Sequence, residues 1–337
     1  GFNVVPEEVL TMAQHFHRGA YQTGVFTANP NAGKMSGLER EVDYFQEEWD
    51  DFLYGRTGHW RESSRYLHDA FWNWREAYPG EPYWVHFQTV DVHEDFPAVA
   101  PFGGLFVGSD QLETWHNWLD VGVPNGVWNP YSGFWEEGDP GRIGFFTTAQ
   151  ALYDEAMAHN DYQLGRLVER LKAEGEWENT LLIVASDHSI RAALTDIAMF
   201  IQDPLPPAWS HPYIRPSISR VPLLFVWPGH IQGGQRFSEP WVSMIDVLPT
   251  ILDLVGLPLP QTRQGQSLAP LLLGTGNVEP RPVIVDQFRV DPITDEFRGR
   301  LEVVDGRWGA SMDINREPPP EDEDEMEAMR RRPVPLL

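Results

Sequence analysis

Apolar positions along this chain switch repeatedly between helical and strand spacing. From Glu7 to His17 (EEVLTMAQHFH) they fall at Val9, Leu10, Met12, Ala13 and Phe16, which predicts a helix, and Tyr21 to Thr27 (YQTGVFT) predicts a strand that runs into an Asn29–Gly33 loop. Thr57 to Ala77 predicts a second helix, with Tyr66, Leu67, Ala70, Phe71 and Trp74 on one side, ended by Pro79-Gly80-Glu81-Pro82. Continuous apolar runs at Tyr83–Thr89, Leu181–Ala185 and Val221–Trp227 predict buried strands. Ala149–Glu174 predicts a long helix stopped by Gly175, and Val242–Val255 a helix with Pro249 near its start or at a kink. Helices alternating with buried strands predict an α/β fold: a mostly parallel central sheet with helices on both faces.

Two regions break the alternation. Phe96 to Thr147, rich in Gly, Pro and Trp, has no sustained period and predicts long substrate-facing loops. Beyond Leu273, Val283-Ile284-Val285, Arg300–Val304 and Arg307–Ser311 around Asp305-Gly306 predict a small C-terminal antiparallel extension. The chain thus divides into a core, 1–274, and a small subdomain with an acidic loop, 275–337.

A formal charge of −25 argues against a duplex nucleic-acid partner, which needs clustered Lys and Arg. Part of that charge sits in Glu317–Glu327 (EPPPEDEDEME), a solvated run. With no apolar stretch of about 18 residues, no membrane span is predicted. The absence of cysteine excludes disulfides and thiolate sites within these residues without fixing a compartment. The 14 Trp suggest a stacking surface for sugar or aryl groups, although most will be core.

Candidate chemistry lies at strand exits, where open α/β sheets bind their ligands. Leu181–Ala185 ends in Ser186-Asp187-His188, an acid beside an imidazole, which fits half a metal or catalytic site and equally a turn or helix cap. Tyr83–Thr89 runs into Asp91-Val92-His93; His93 suits a general acid or a holder of anionic oxygen, or else a loop histidine bonded to its neighbours. His86, inside its strand, reads as core. His211, in Trp209-Ser210-His211-Pro212, is unremarkable alone, and Arg220 reads as a clamp for an oxyanion or a structural ion-pair partner.

Several of these stretches resemble a known family in order and spacing. Leu164-Gly165-Arg166, Glu178–His188 (ENTLLIVASDH), Arg220–Gly229 (RVPLLFVWPG), Ile245–Gly256 (IDVLPTILDLVG) and Gly265-Gln266-Ser267-Leu268 are similar to the second half of a sulfatase of the alkaline-phosphatase superfamily. Upstream, Tyr21-Gln22-Thr23-Gly24 resembles that family's "GYxTg", with Ala20 for its Gly, and Val85–His93 its "vHfxDpH". The resemblance covers most of residues 8–275. It implies metal-dependent hydrolysis of a sulfate ester on a small molecule or glycan, a divalent cation (Ca²⁺ in most sulfatases) and a formylglycine nucleophile. It assigns Asp187 and His188 to the metal, His93 and His211 to catalysis, and Asp91 and Asn29 to substrate.

Departures from the family pattern set further expectations. Nothing in Gly1–Ala20 resembles "C/S-x-P-x-R", which implies a fragment without its nucleophile segment, inactive alone. Thr27-Ala28-Asn29-Pro30 stands where the family has "GKWH", leaving Asn29 or Lys34 as substitutes, and Ser189 replaces a glycine. The chain's last residues, Pro333–Leu337, fall short of a family "YDL-x-x-DP", which implies truncation there too. Alternatives are a phosphodiester or phosphonate hydrolase or phosphotransferase of the same superfamily, and a non-catalytic anion- or glycan-binding relative.

Overall fold

The computed structural model describes residues 4–48, 62–93, 99–113, 140–188, 220–261, 263–290, 297–305 and 308–316. Helix α1 (Met12–Arg18) starts later than its apolar spacing suggests, because Thr11 and Gln14 close a capping box: the Thr11 hydroxyl accepts the Gln14 amide at 3.2 Å and the Gln14 side chain accepts the Thr11 amide at 2.9 Å. Ala20 then turns the chain at φ 64°, a left-handed conformation that favours the glycine of the "GYxTg" pattern.

Strand β1 (Gln22–Thr27) is the centre of a parallel sheet, flanked by β2 (Tyr44–Glu47) on one edge and β3 (Tyr83–Gln88) on the other. The short β2, which carries no long apolar run, is fixed by Asp43: its Oδ2 accepts both the amide and the hydroxyl of Thr23 at 2.8 Å. Burial works against ionisation of that carboxyl, but the Thr23 bonds and His17 outweigh it and hold the pKa below the ordinary carboxylate value.

Alternation along β3 sends side chains to two helical layers. Tyr83, Val85 and Phe87 pack with Phe26 of β1 against Leu67, Phe71 and Trp74 of α2 (Ser63–Arg75) and Leu167 and Leu171 of α3 (Pro140–Ala173). Trp84 packs on the opposite side with Phe16 of α1 and with Ile251 and Leu252 of α4 (Val247–Leu254). Helices thus cover both faces, as expected, and Trp72 and Trp74 are core. His86 follows Trp84 on that second face, stacked at 6.3 Å, and burial lowers its pKa.

Strands β4 (Leu182–Ala185) and β5 (Leu223–Val226) form a separate antiparallel pair, Leu182 opposite Val226 and Ala185 opposite Leu223. Neither strand is buried as its apolar run suggests: β4 has no buried residue, and on β5 Leu224 is 50% and Val226 37% exposed; an apolar run marks a strand without fixing its direction or what covers it. α3 begins at Pro140, inside the stretch expected to be loop, while 114–139 lie outside the described residues. Pro249 is the third residue of α4, a first-turn position where its missing N–H costs no helical bond.

The Asp246–Leu268 segment is a clasp. Asp246, fully buried, accepts the amides of Ser243 and Gln266, each at 2.8 Å, and contacts Arg281; Thr250 Oγ1 accepts the Leu268 amide at 2.9 Å, and the Ser267 hydroxyl donates to Asp253 at 2.5 Å. Gly265 is required here, since a Cβ would lie 2.0 Å from the Ile245 carbonyl oxygen. After the short α5 (Ala269–Leu272), β6 (Val283–Val290), β7 (Phe297–Asp305) and β8 (Trp308–Arg316) build the expected antiparallel extension, with Asp305 paired to Trp308.

Candidate functional site

The exits of β3 and β4 meet. Gln88, the last residue of β3, donates its side-chain amide to Asp187 Oδ2 at 3.4 Å, linking positions 99 residues apart in sequence. Asp187 and His188 follow β4 on an exposed turn, in which Asp187 Oδ1 accepts the His188 amide at 2.8 Å and the Ser186 hydroxyl donates to the His188 carbonyl at 2.6 Å. One carboxylate oxygen therefore holds the turn while the other faces the gap between the strands. His93, also exposed, ends a turn after β3 closed by its amide on the Val90 carbonyl at 3.0 Å.

Asp91 has a different setting from the one expected of a substrate contact. Its side chain is 1% exposed; Oδ2 accepts the Ser63 hydroxyl at 2.5 Å and the Ser64 amide at 2.9 Å, and Oδ1 accepts the Ser64 hydroxyl at 2.6 Å. The Ser63 hydroxyl in turn accepts the Val90 amide at 2.8 Å. Asp91 is thus the anion at the N-terminus of α2, tying that helix to the β3 exit, and its lone pairs point into protein. His159 of α3, 2% exposed, places Nδ1 3.3 Å from Asp91 Oδ1 without the alignment of a hydrogen bond.

Asn29, at the exit of β1, accepts the Asn31 amide with its own Oδ1 at 2.9 Å and so caps a 3-10 turn, Pro30–Ala32. Lys34 follows with its ammonium over the Phe45 ring, 5.7 Å from the centroid. His211 lies outside the described residues.

Sequence reasoning missed Gln88 and the polar side of α3. Glu155, His159 and Gln163 recur every fourth residue between Leu152 and Leu167, so they occupy the buried stripe, and that interruption of an apolar stripe by three polar residues was the available signal.

Asp187 offers a hard oxygen and His188 an imidazole for a cation, a donor pair that fits part of a divalent-metal shell. Among the described residues no group of three or more His, Asp or Glu gathers to complete one.

Arylsulfatase K of Canis lupus familiaris is 28% identical over 230 residues, covering 64% of this chain and 39% of that protein. Human arylsulfatase A is 42% identical over 92 residues, 27% of this chain and 17% of its own length. The chain therefore spans about two-fifths or less of these relatives. The crystal structure of a phosphonate monoester hydrolase of Agrobacterium radiobacter superposes with a TM-score of 0.65 at 18% identity, covering 93% of this chain and 75% of that one, which shows a shared fold. The Sulfatase family model matches residues 3–257, most of the sequence, and the chain belongs to the sulfatase family.

Proposed function

We propose that the intact protein hydrolyses an aryl or glycan sulfate ester at the crevice between the exits of β3 and β4. The observation that carries this reading is the contact of Gln88 with Asp187, which supports a single crevice shared by His93 on one side and Asp187 and His188 on the other. Asp187 Oδ2 and the His188 ring would hold a divalent cation, Ca²⁺ by the preference of sulfatases or Zn²⁺ or Mn²⁺ by that of an imidazole nitrogen, and the ion would supply neutralisation of negative charge on the ester oxygens. His93 donates a hydrogen bond or a proton to the departing ester oxygen, which leaves with growing negative charge. Asp187 Oδ1 keeps the turn closed through the His188 amide, so the acid and the imidazole stay side by side. The exposed position of this turn gives a charged substrate open access from solvent.

Turnover of an aryl sulfate and of an aryl phosphonate by the metal-loaded intact protein tests the reading, with mass spectrometry of the parent chain locating a formylglycine. The expected outcome is sulfate release that falls at least about 100-fold in Asp187→Asn and in His93→Ala. Preferred cleavage of the phosphonate, or sulfate release untouched by both substitutions, overturns it.

A further inference from the structure

One turn of α3 grips the chain on both sides of His93. Glu155, 1% exposed, uses Oε1 to accept the amides of Phe106 at 2.7 Å and Val107 at 3.0 Å. Four residues on, His159 stands 3.3 Å from Asp91, two residues before His93, and its Nε2 lies 3.1 Å from the Gln163 side-chain amide. The ring of Phe102 rests against His159 at 6.1 Å and Tyr162 at 5.6 Å, so the returning segment lies along the same helix.

The arrangement is expensive. Among the described residues, Glu155 Oε2 and His159 Nδ1 are buried without a hydrogen-bond partner, and burying an unpaired polar atom costs about 1–3 kcal/mol that apolar side chains of similar size would avoid. A packing role is therefore a poor account of Glu155. Fixed geometry is a better one: a carboxylate taking two adjacent backbone amides sets the position of the chain more tightly than apolar contact does.

We infer that Glu155 and His159 are positioning residues that hold His93 in register with the β4 exit, Glu155 by pinning the chain at Phe106 and Val107 and His159 by bracing Asp91. The inference rests on the proposed role of His93. Its consequences are separable from that role, because the pin is read in backbone amides as well as in turnover.

The test uses the metal-loaded intact protein with Glu155→Met, which removes the acceptor, and Glu155→Gln, which keeps a carbonyl in its place. Glu155→Met is expected to speed amide exchange at Phe106, Val107 and His93 by about tenfold or more while the β1 amides of Gly24 to Phe26 stay protected. On aryl sulfate it lowers kcat about tenfold with KM within twofold, Glu155→Gln restores kcat to within about threefold, and in a His93→Ala background Glu155→Met has no further effect. Exchange at His93 that does not change, or a kcat loss that persists undiminished in the His93→Ala background, overturns the inference. If Glu155→Met does not fold, His159→Gln carries the same test at the His93 amide. If the wild-type protein releases no sulfate, the functional proposal fails by itself, and exchange at His93 still decides whether α3 holds it.

Discussion

Two strand exits with the same vocabulary, Asp91-Val92-His93 after β3 and Asp187-His188 after β4, end in opposite circumstances. Asp91 is buried and spends its oxygens on Ser63 and Ser64; Asp187 is exposed, with one oxygen on the adjacent amide and the other only 3.4 Å from a glutamine amide. The difference separates an acid committed to the fold from one whose carboxylate stays exposed. An acid at a strand exit can take a cation or substrate only where the fold has not already committed its lone pairs, and a helix N-terminus beside the strand is a strong competitor for them.

The sharpest way to break this contrast is to delete each acid. Asp91→Ala leaves two hydroxyls and an amide at the start of α2 without their acceptor, with His159 facing the gap, and is expected to cost about 3–5 kcal/mol in urea unfolding. Asp187→Ala is expected to leave the unfolding midpoint unchanged within error and to abolish cation binding measured by calorimetry. A protein in which Asp187→Ala unfolds more readily than Asp91→Ala would reverse the assignment of the two exits.

A pH titration sharpens it next, through His68. This ring lies behind the β3 exit, edge-on to Phe87 at 5.0 Å, and burial lowers its pKa from 6.5 to about 4; Asp91 and Asp69 oppose the shift and Arg166 adds to it. The unfolded chain binds this proton first, so the contribution is whole above pH 6.5 and is lost as pH falls from there toward 4. The loss is on the order of 3 kcal/mol when complete. His68→Phe, which keeps an aromatic ring against Phe87, is expected to flatten that acid limb in unfolding curves taken between pH 7 and pH 4. An unchanged limb would place the acid sensitivity elsewhere.

How much of this was legible in sequence follows from what each signal encodes. β1, β3, β4 and β5 were readable as strands because apolar runs sit between turn residues, whereas the exposure of Leu224 and Val226 on β5 and its antiparallel pairing with β4 depend on a path that hydrophobicity does not record. Pro140 to Thr147 reads as loop because its glycines and proline hide the start of a helix whose later turns are strongly periodic. The Asp246–Leu268 motif was recognisable as a family pattern, but its work as a backbone clasp emerges only from the bonds it makes. At the site, Asp187 and His188 stood out as an adjacent acid and imidazole that fit either half a metal site or a turn. Asp91 reads as a substrate contact beside a histidine, and the spacing does not record that Ser63 and Ser64 reach its oxygens from a different helix. Glu155 and His159 were hidden by their neighbours: read one at a time, a polar residue in a long helix belongs to the solvent face.

The smallest expected effect probes the link between the two exits. Gln88 is half-buried, and its 3.4 Å bond to Asp187 is long for an amide–carboxylate pair, so Gln88→Leu is expected to change stability by less than about 0.5 kcal/mol. Its influence should instead fall on orientation. With the amide gone, Asp187 Oδ2 loses its only hydrogen bond across the gap among the described residues, and the Ca²⁺ titration midpoint is expected to rise by about tenfold, the lower end for a residue that orients a ligand rather than binding the metal. Complete loss of Ca²⁺ binding in Gln88→Leu would make Gln88 itself a ligand, and an unchanged midpoint would mean that the β4 exit holds its acid in place without help from β3.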